Sequence, residues 1–264
     1  MSYLEIKKVN FSYGNGLVLS DVSLSITKRE MVGLLGQNGS GKTTLLKLIS
    51  GILRPKAGEL ELEGAGLTRF SRRSLARRIA VLPQQYEAPL AFRVTEVVAL
   101  GRTPHQNTFG GESPEDKRAV SEALRLTGMA NLGGRRFDEL SGGERQKTIL
   151  AMALAQPPER LLLDEPTVHL DIAFQIDILE RVRELNRGRG LTVIAAMHDL
   201  NLASLYFERL ILLKRGRVIA SGTPAQVLTE SLVEEAYETK VRVEADPGTG
   251  NPHIYLVPGS RNPT

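Results

Sequence analysis

The residues best suited to chemistry lie together in Gly36-Gln37-Asn38-Gly39-Ser40-Gly41-Lys42-Thr43-Thr44. This stretch stands between the apolar run Met31 to Leu35 and the segment Leu45 to Ile49, where a buried strand gives way to a helix. Glycines at 36, 39 and 41 let the backbone turn tightly and point successive N–H groups at one spot. The helix beginning near Lys42 directs the positive end of its dipole to the same place, so an anion belongs there. The Lys42 ammonium would reach the outer phosphates of a bound phosphate chain, and the Thr43 hydroxyl would coordinate a magnesium ion bridging them.

Three further segments end apolar strands in residues able to act on such a chain. Arg78 to Leu82 runs into Pro83-Gln84-Gln85, and the proline stops any helix, so the glutamines start a loop at a strand's carboxyl end. A glutamine there would hold magnesium and a water together; Gln84 and Gln85 both fit, and an ordinary polar loop remains the alternative. Leu161 to Leu163 ends in Asp164-Glu165-Pro166. Two acids at that point are costly to bury unless a cation or proton transfer compensates, which suits Asp164 to magnesium through water and Glu165 to activating a water. Thr192 to Met197 ends in His198. Together these ends deliver Gln84, Asp164, Glu165 and His198 to the edge that Lys42 occupies.

Two more features need a ligand to explain them. Tyr13, in Phe11-Ser12-Tyr13-Gly14 upstream of the phosphate loop, is placed to stack on a purine base, with Val18 as an apolar neighbour. In Leu140-Ser141-Gly142-Gly143-Glu144, Ser141 and Glu144 form a capping box at a helix start. Capping does not account for Gly142 and Gly143, which weaken a helix and bare N–H groups at its positive end, so a second anion site is expected. Asp171 reads as the cap of the next long helix.

The elements around these residues follow from periodicity. Leu4 to Val9, Val22 to Ile26 and Gly58 to Gly64 alternate as strands. Val94 to Leu100 is helical, Gly101 to Ser113 reads as a long exposed connection, and Ser113-Pro114-Glu115-Asp116 opens a helix with a serine cap and early proline. Residues from about 88 to 155 thus form a helical lobe inserted into a sheet domain. Leu210 to Leu213 and Arg217 to Ala220 make a hairpin turning at Arg215-Gly216, and 241–264 a short tail with a last hairpin around Asp246-Pro247-Gly248.

With 264 residues and 41% hydrophobic composition the chain can bury a sizeable core. No apolar run approaches the roughly 18 residues of a membrane span, and the first residues lack a signal peptide's apolar segment, so a cytosolic protein is expected. The absence of cysteine excludes disulfides, thiolate catalysis and cysteine metal sites, and His105, His169, His198 and His253 are too dispersed for a ligand set. A net charge of +4 is mild. Arg72, Arg73, Arg77 and Arg78 form the dense basic cluster, read as a solvated helix face and not as a nucleic-acid or lipid patch.

From Leu4 to about Tyr237 the chain resembles the ATP-binding subunit of an ABC transporter: stacking aromatic Tyr13, Walker A at Gly36 to Thr43, Q-loop Gln84, signature Leu140 to Gln146, Walker B Leu161 to Glu165, D-loop ending at Asp171 and switch His198. The resemblance implies a P-loop NTPase (RecA-like) α/β core with an antiparallel β subdomain and an inserted α-helical subdomain. It implies binding of ATP with Mg2+ and ATP hydrolysis. It also implies a head-to-tail homodimer in which each ATP lies between one subunit's P-loop and Ser141 and Gly143 of the other. Val81 to Gln84, Leu100 to His105 and Met197 to Ala203 are similar to importers of iron-siderophore complexes, haem or cobalamin. Those work at the cytoplasmic face of the membrane with a two-copy integral permease and an extracytoplasmic binding protein, and without nucleic acid. Molybdate as cargo, or a soluble ABC ATPase acting on ribosomes or DNA, is the alternative. His169 occupies a D-loop position often held by a small residue.

Overall fold

The computed structural model of the protein describes residues 3–14, 16–84, 86, 92–106 and 113–261. The chain forms two compact units, one built from 1–69 with 192–264 and the other from 70–191.

The first unit begins with β1 (Leu4–Phe11) and β2 (Leu19–Ile26), then β3 (Met31–Leu35), α1 (Lys42–Ile49), β4 (Ala57–Leu62) and the short β5 (Ala65–Gly66). β1 is the antiparallel centre of a sheet ordered β2-β1-β4-β5, extending further than its alternation predicts, to Phe11. Leu4, Ile6, Val9 and Phe11 are buried, while Glu5 and Asn10 are only half-buried. Every residue of β3 is buried, as expected of a strand that carries neighbours on both sides.

The second unit holds α2 (Arg72–Arg78), β6 (Ile79–Leu82), α3 (Val94–Ala99), α4 (Pro114–Leu126), α5 (Gly142–Leu154), β7 (Arg160–Asp164) and α6 (Ile172–Arg189). β6 and β7 run parallel, pairing Leu82 with Leu163, so their carboxyl ends coincide. Helices α3, α4 and α5 close around Val94, Val97, Val98, Val120, Leu124 and Leu150. The capping box predicted at α4 forms: Asp116 N–H donates to Ser113 Oγ at 3.1 Å, and Ser113 N–H to Asp116 Oδ2 at 3.0 Å.

One expectation fails in this unit. The connection from Gly101 is not exposed at its start. Leu100–Arg102 makes a helical turn, and Arg102 is 3% exposed, donating to Asp116 Oδ1 at 2.7 Å and Ala155 O at 2.8 Å. Residues 107–112 of that connection lie outside the described residues. Arg72, Arg73 and Arg77 are exposed, as a solvated helix face requires, and Arg73 and Arg77 each also donate through Nε to the Pro104 carbonyl at 2.8 Å, with Arg73 reaching the Gln106 carbonyl as well. Charge in these residues tethers a loop, a use that composition does not reveal.

The Arg102–Asp116 pair gives a stability test. The Arg102 and Ser113 hydrogen bonds hold the Asp116 carboxyl down at about 2, below its ordinary 3.8. Its contribution is therefore complete above about pH 4 and disappears as pH falls through 2. Arg102→Met should leave this buried carboxylate without its cation and cost about 3–5 kcal/mol in chemical denaturation, whereas Asp116→Asn should flatten the acid limb of the stability profile.

The chain then returns to the first unit through β8 (Thr192–Ala196), α7 (Leu200–Tyr206), β9 (Arg209–Lys214), β10 (Arg217–Gly222), α8 (Pro224–Val227), α9 (Glu230–Tyr237), β11 (Thr239–Ala245) and β12 (Pro252–Arg261). β3 lies between β8 and β9, parallel to both, and β10 pairs antiparallel with β9 through a turn in which Arg215 and Gly216 both take positive φ. The β11–β12 hairpin docks on α7 and α9: Ile254 N–H donates to Asn201 Oδ1 at 2.8 Å, and Val243 N–H to Glu230 Oε1 at 3.0 Å. No helix among the described residues is long and apolar enough to cross a membrane.

Candidate functional site

In the first unit β3 ends at Leu35 and the chain turns through Gly36 (φ +141°) to Gly41 (φ +106°) into α1. A side chain at Gly36 would come within 2.2 Å of the Leu213 carbonyl, and one at Gly41 within 2.5 Å of Leu19 Cδ2, so sterics as well as dihedrals demand glycine at both. Gly41 offers α1 no capping side chain and the first turn holds no acid, which leaves orphan N–H groups at a positive helix end. Ser40 Oγ is buried without a hydrogen-bond partner among the described residues. Lys42 is 4% exposed and folds back, donating through Nζ to Gly36 O at 2.7 Å and Gln37 O at 3.3 Å. Uncapped amides, an orphan hydroxyl and a buried ammonium together fit a phosphate chain.

Around this loop the same unit gathers three more of the expected residues. Tyr13 is 63% exposed, stands edge-on to Phe11 at 4.9 Å and places its hydroxyl 3.4 Å from Thr44 Oγ1. Its ring thus sits beside α1 with area to spare for stacking. Val18 is half-buried, and its carbonyl lies 3.2 Å from where a Gly41 Cβ would be. Pairing of Leu34 with Ala196 brings the ends of β3 and β8 to one edge, so exposed His198 follows β8 at the edge where Gly36 begins its loop. Asn38 and Gly39 are exposed, and Thr43 is half-buried.

In the second unit the joined ends of β6 and β7 bring Gln84 and Glu165 into contact: Gln84 Nε2 donates to Glu165 Oε2 at 2.7 Å. Asp164 beside them is 7% exposed. Glu165 has φ +52°, an unusual conformation for a side-chain-bearing residue that costs about 1–3 kcal/mol and persists where surroundings enforce it. Gln85 lies outside the described residues. Gln84 and Asp164 offer amide and carboxylate oxygens in this unit, and Thr43 a hydroxyl in the first, each of the oxygen-donor kind that Mg2+ prefers. Among the described residues no group of three or more His, Cys, Asp or Glu is placed to hold a metal.

Ser141 caps α5 as expected, accepting Glu144 N–H at 3.4 Å while its own N–H donates to Glu144 Oε2 at 2.9 Å. These hydrogen bonds keep the Glu144 carboxyl below its ordinary range. The two glycines separate in meaning. Gly143 is buried, and a side chain there would strike the Phe174 ring at 2.3 Å, so packing alone requires it. Gly142 is exposed with only Leu170 Cδ2 near, at 4.0 Å, and no packing reason explains it. Asp171 caps α6 by accepting Phe174 N–H at 3.0 Å. His169 is exposed at φ +63°, a left-handed conformation in which histidine is enriched among side-chain-bearing residues.

Two contacts on the phosphate loop escape sequence reasoning. Tyr237 Oη accepts the Gly36 N–H at 3.0 Å, and Gly216 N–H donates to Ser40 O at 3.1 Å. An aromatic at the end of a short amphipathic helix, 201 residues from its partner, ordinarily signals core packing.

The ABC transporter family profile matches residues 19–168. The iron(3+)-hydroxamate import ATP-binding protein FhuC of Bacillus subtilis is 40% identical over 252 residues, covering 96% of this chain and 94% of that protein. Among solved structures, an inward-facing transporter assigned to the metal-chelate ABC type superposes with a TM-score of 0.84 at 28% identity over 97% of both chains. The ATP-binding cassette MJ0796, dimeric and bound to ADP and Pi, superposes with a TM-score of 0.73 at 28% identity over 83% of this chain and 98% of its own. The fold is the α/β P-loop cassette that the motifs imply, and the chain belongs to the ABC transporter family, among its ATP-binding subunits.

Proposed function

We propose that this chain is the ATP-hydrolysing subunit of a membrane importer for a metal chelate of the iron-siderophore, haem or cobalamin class, acting as a head-to-tail homodimer. The exposed Ser141-Gly142 tip of α5 carries the reading: the capping box uses the Ser141 and Glu144 N–H groups, but no packing contact accounts for the glycine at 142, which keeps the positive end of the helix open to an anion. A twin's phosphate loop would supply that anion.

In this scheme Gly36 to Gly41, Lys42, Thr43 and Thr44 grip the phosphates, Tyr13 with Val18 receives the base, and Ser141, Gly142 and Gly143 of the twin close over the outer phosphate. Thr43, Gln84 and Asp164 would hold Mg2+, which when bound neutralises phosphate charge. Glu165 accepts the proton of an attacking water, with Gln84 orienting its carboxylate, and His198 senses the outer phosphate from the end of β8. Asp171 and exposed Ile172, 75% accessible at the start of α6, supply the polar and apolar parts of the dimer contact. The ATP-binding domain is taken as 4–240, with a helical subdomain at about 88–155 and a tail from 241.

Coupling requires that closure of the pair move something attached. An open cleft lined by Thr95, Glu96, Ala99, Lys117, Val120 and Leu124 lies between α3 and α4, and a cytoplasmic loop of an integral permease dimer would enter it. The chain would then sit peripherally on the cytoplasmic face, with an extracytoplasmic binding protein choosing the cargo. A photo-crosslinker at Ser121 in this cleft should capture an integral membrane protein, and chelated iron or cobalamin uptake should fail when the gene is deleted. Capture of cytosolic proteins or nucleic acid alone, with uptake intact, would refute the importer.

A further inference from the structure

We infer that Tyr237 is a positioning residue for nucleotide binding, bracing from the C-terminal side of the chain the two residues that hold Lys42. The inference rests on the ATP-binding reading above, but its residue lies outside the stretch that the family profile matches, 19–168.

The contacts form a short relay within the first unit. Tyr237 Oη accepts the Gly36 N–H at 3.0 Å, and the Tyr237 carbonyl accepts Gln37 Nε2 at 2.6 Å. On their other side Gly36 and Gln37 offer their own carbonyls to Lys42 Nζ, at 2.7 and 3.3 Å. One residue therefore fixes both of the loop positions that aim the ammonium. Gly36 needs such a brace because it carries φ +141° and its N–H follows the last residue of β3, where the loop leaves the sheet.

Tyr237 is itself held. α9 ends at this residue, Glu238 follows at φ +55°, and its carboxylate pairs with Arg215 at 3.0 Å. Arg215 stands next to Gly216, whose N–H donates to Ser40 O in the same loop. The C-terminal hairpin docks on α9 through Val241 and Val243 N–H groups donating to Glu234 and Glu230. Burial pushes the Tyr237 phenol up to about 12, so it remains a neutral hydroxyl at any working pH. A neutral oxygen can take the Gly36 N–H without placing a negative charge beside the phosphates.

Tyr237→Phe keeps the ring in place and removes the acceptor. In calorimetric titrations of the full chain it should raise the Kd for MgATP about three- to tenfold while leaving the Kd for adenosine unchanged. Its KM for ATP should rise by the same factor with kcat within about twofold, because the hydroxyl touches no reacting atom. In a Lys42→Ala background, assayed at millimolar MgATP, the same substitution should add nothing, as expected of a residue acting through Lys42. Parental MgATP affinity would overturn the inference. So would equal losses for ATP and adenosine, or a lowered melting temperature with affinity intact, which mark packing only. If the parental chain bound no MgATP, the nucleotide reading would fall and this inference with it.

Discussion

Lys42→Ala is expected to weaken MgATP binding at least a hundredfold, while Tyr13→Ala weakens it only about tenfold, or about 1.4 kcal/mol. The ranking follows from what each side chain does before a ligand arrives. Lys42 is buried and its ammonium already rests on two carbonyls, so it binds phosphate by exchanging neutral acceptors for charged ones, with little ordering left to lose. Each charge-assisted contact contributes about 1.5–3 kcal/mol, and the lysine makes more than one. Its removal also leaves the Gly36 and Gln37 carbonyls near the phosphates without the intervening cation. Tyr13, by contrast, is already largely wet and offers one face, and stacking on a base is worth roughly 1–3 kcal/mol. Fluorescence titration of the two variants decides the matter, and equal losses would contradict a grip dominated by phosphate.

The residues that were legible in the sequence share one property: each announces itself within a few positions of chain. Strand, glycines, lysine and threonine in a row describe a phosphate loop before any fold is known, and Ser141 with Glu144, Ser113 with Asp116, and Asp171 are local caps that form as read. Parallel strands ending in polar residues likewise bring Gln84 to Glu165 without knowledge of their pairing. What escaped was long-range. Arg102 looks like a loop cation, yet it is buried because Asp116 and the Ala155 carbonyl, 14 and 53 residues away, receive it. Gly143 looks like a bared helix tip, but Phe174 fills the space of its missing side chain. Tyr237 looks like core and instead touches Gly36. Local spacing reports conformation, whereas the use of a buried polar group depends on which distant element supplies its partner.

Glu165→Gln should stop turnover and leave ATP bound in a closed pair. The substitution keeps the volume and the acceptor oxygen that Gln84 Nε2 now reaches at 2.7 Å, so the strained turn at φ +52° and the Gln84 contact both survive. Only the capacity to take a proton from water is lost, and positioned bases contribute about a hundred- to ten-thousandfold to rate. Phosphate binding is untouched because Lys42, Thr43 and the glycine loop are unaltered. A state that normally decays by hydrolysis then accumulates: size-exclusion chromatography in MgATP should shift the variant from monomer to dimer, with ATP retained. Adding Ser141→Arg should abolish that dimer, since a long cation at the α5 tip blocks the backbone N–H groups offered to the twin. Hydrolysis at the parental rate would remove Glu165 from the role of base. A nucleotide-filled monomer would show that the exposed tip at Ser141 and Gly142 serves something other than the second copy's phosphate.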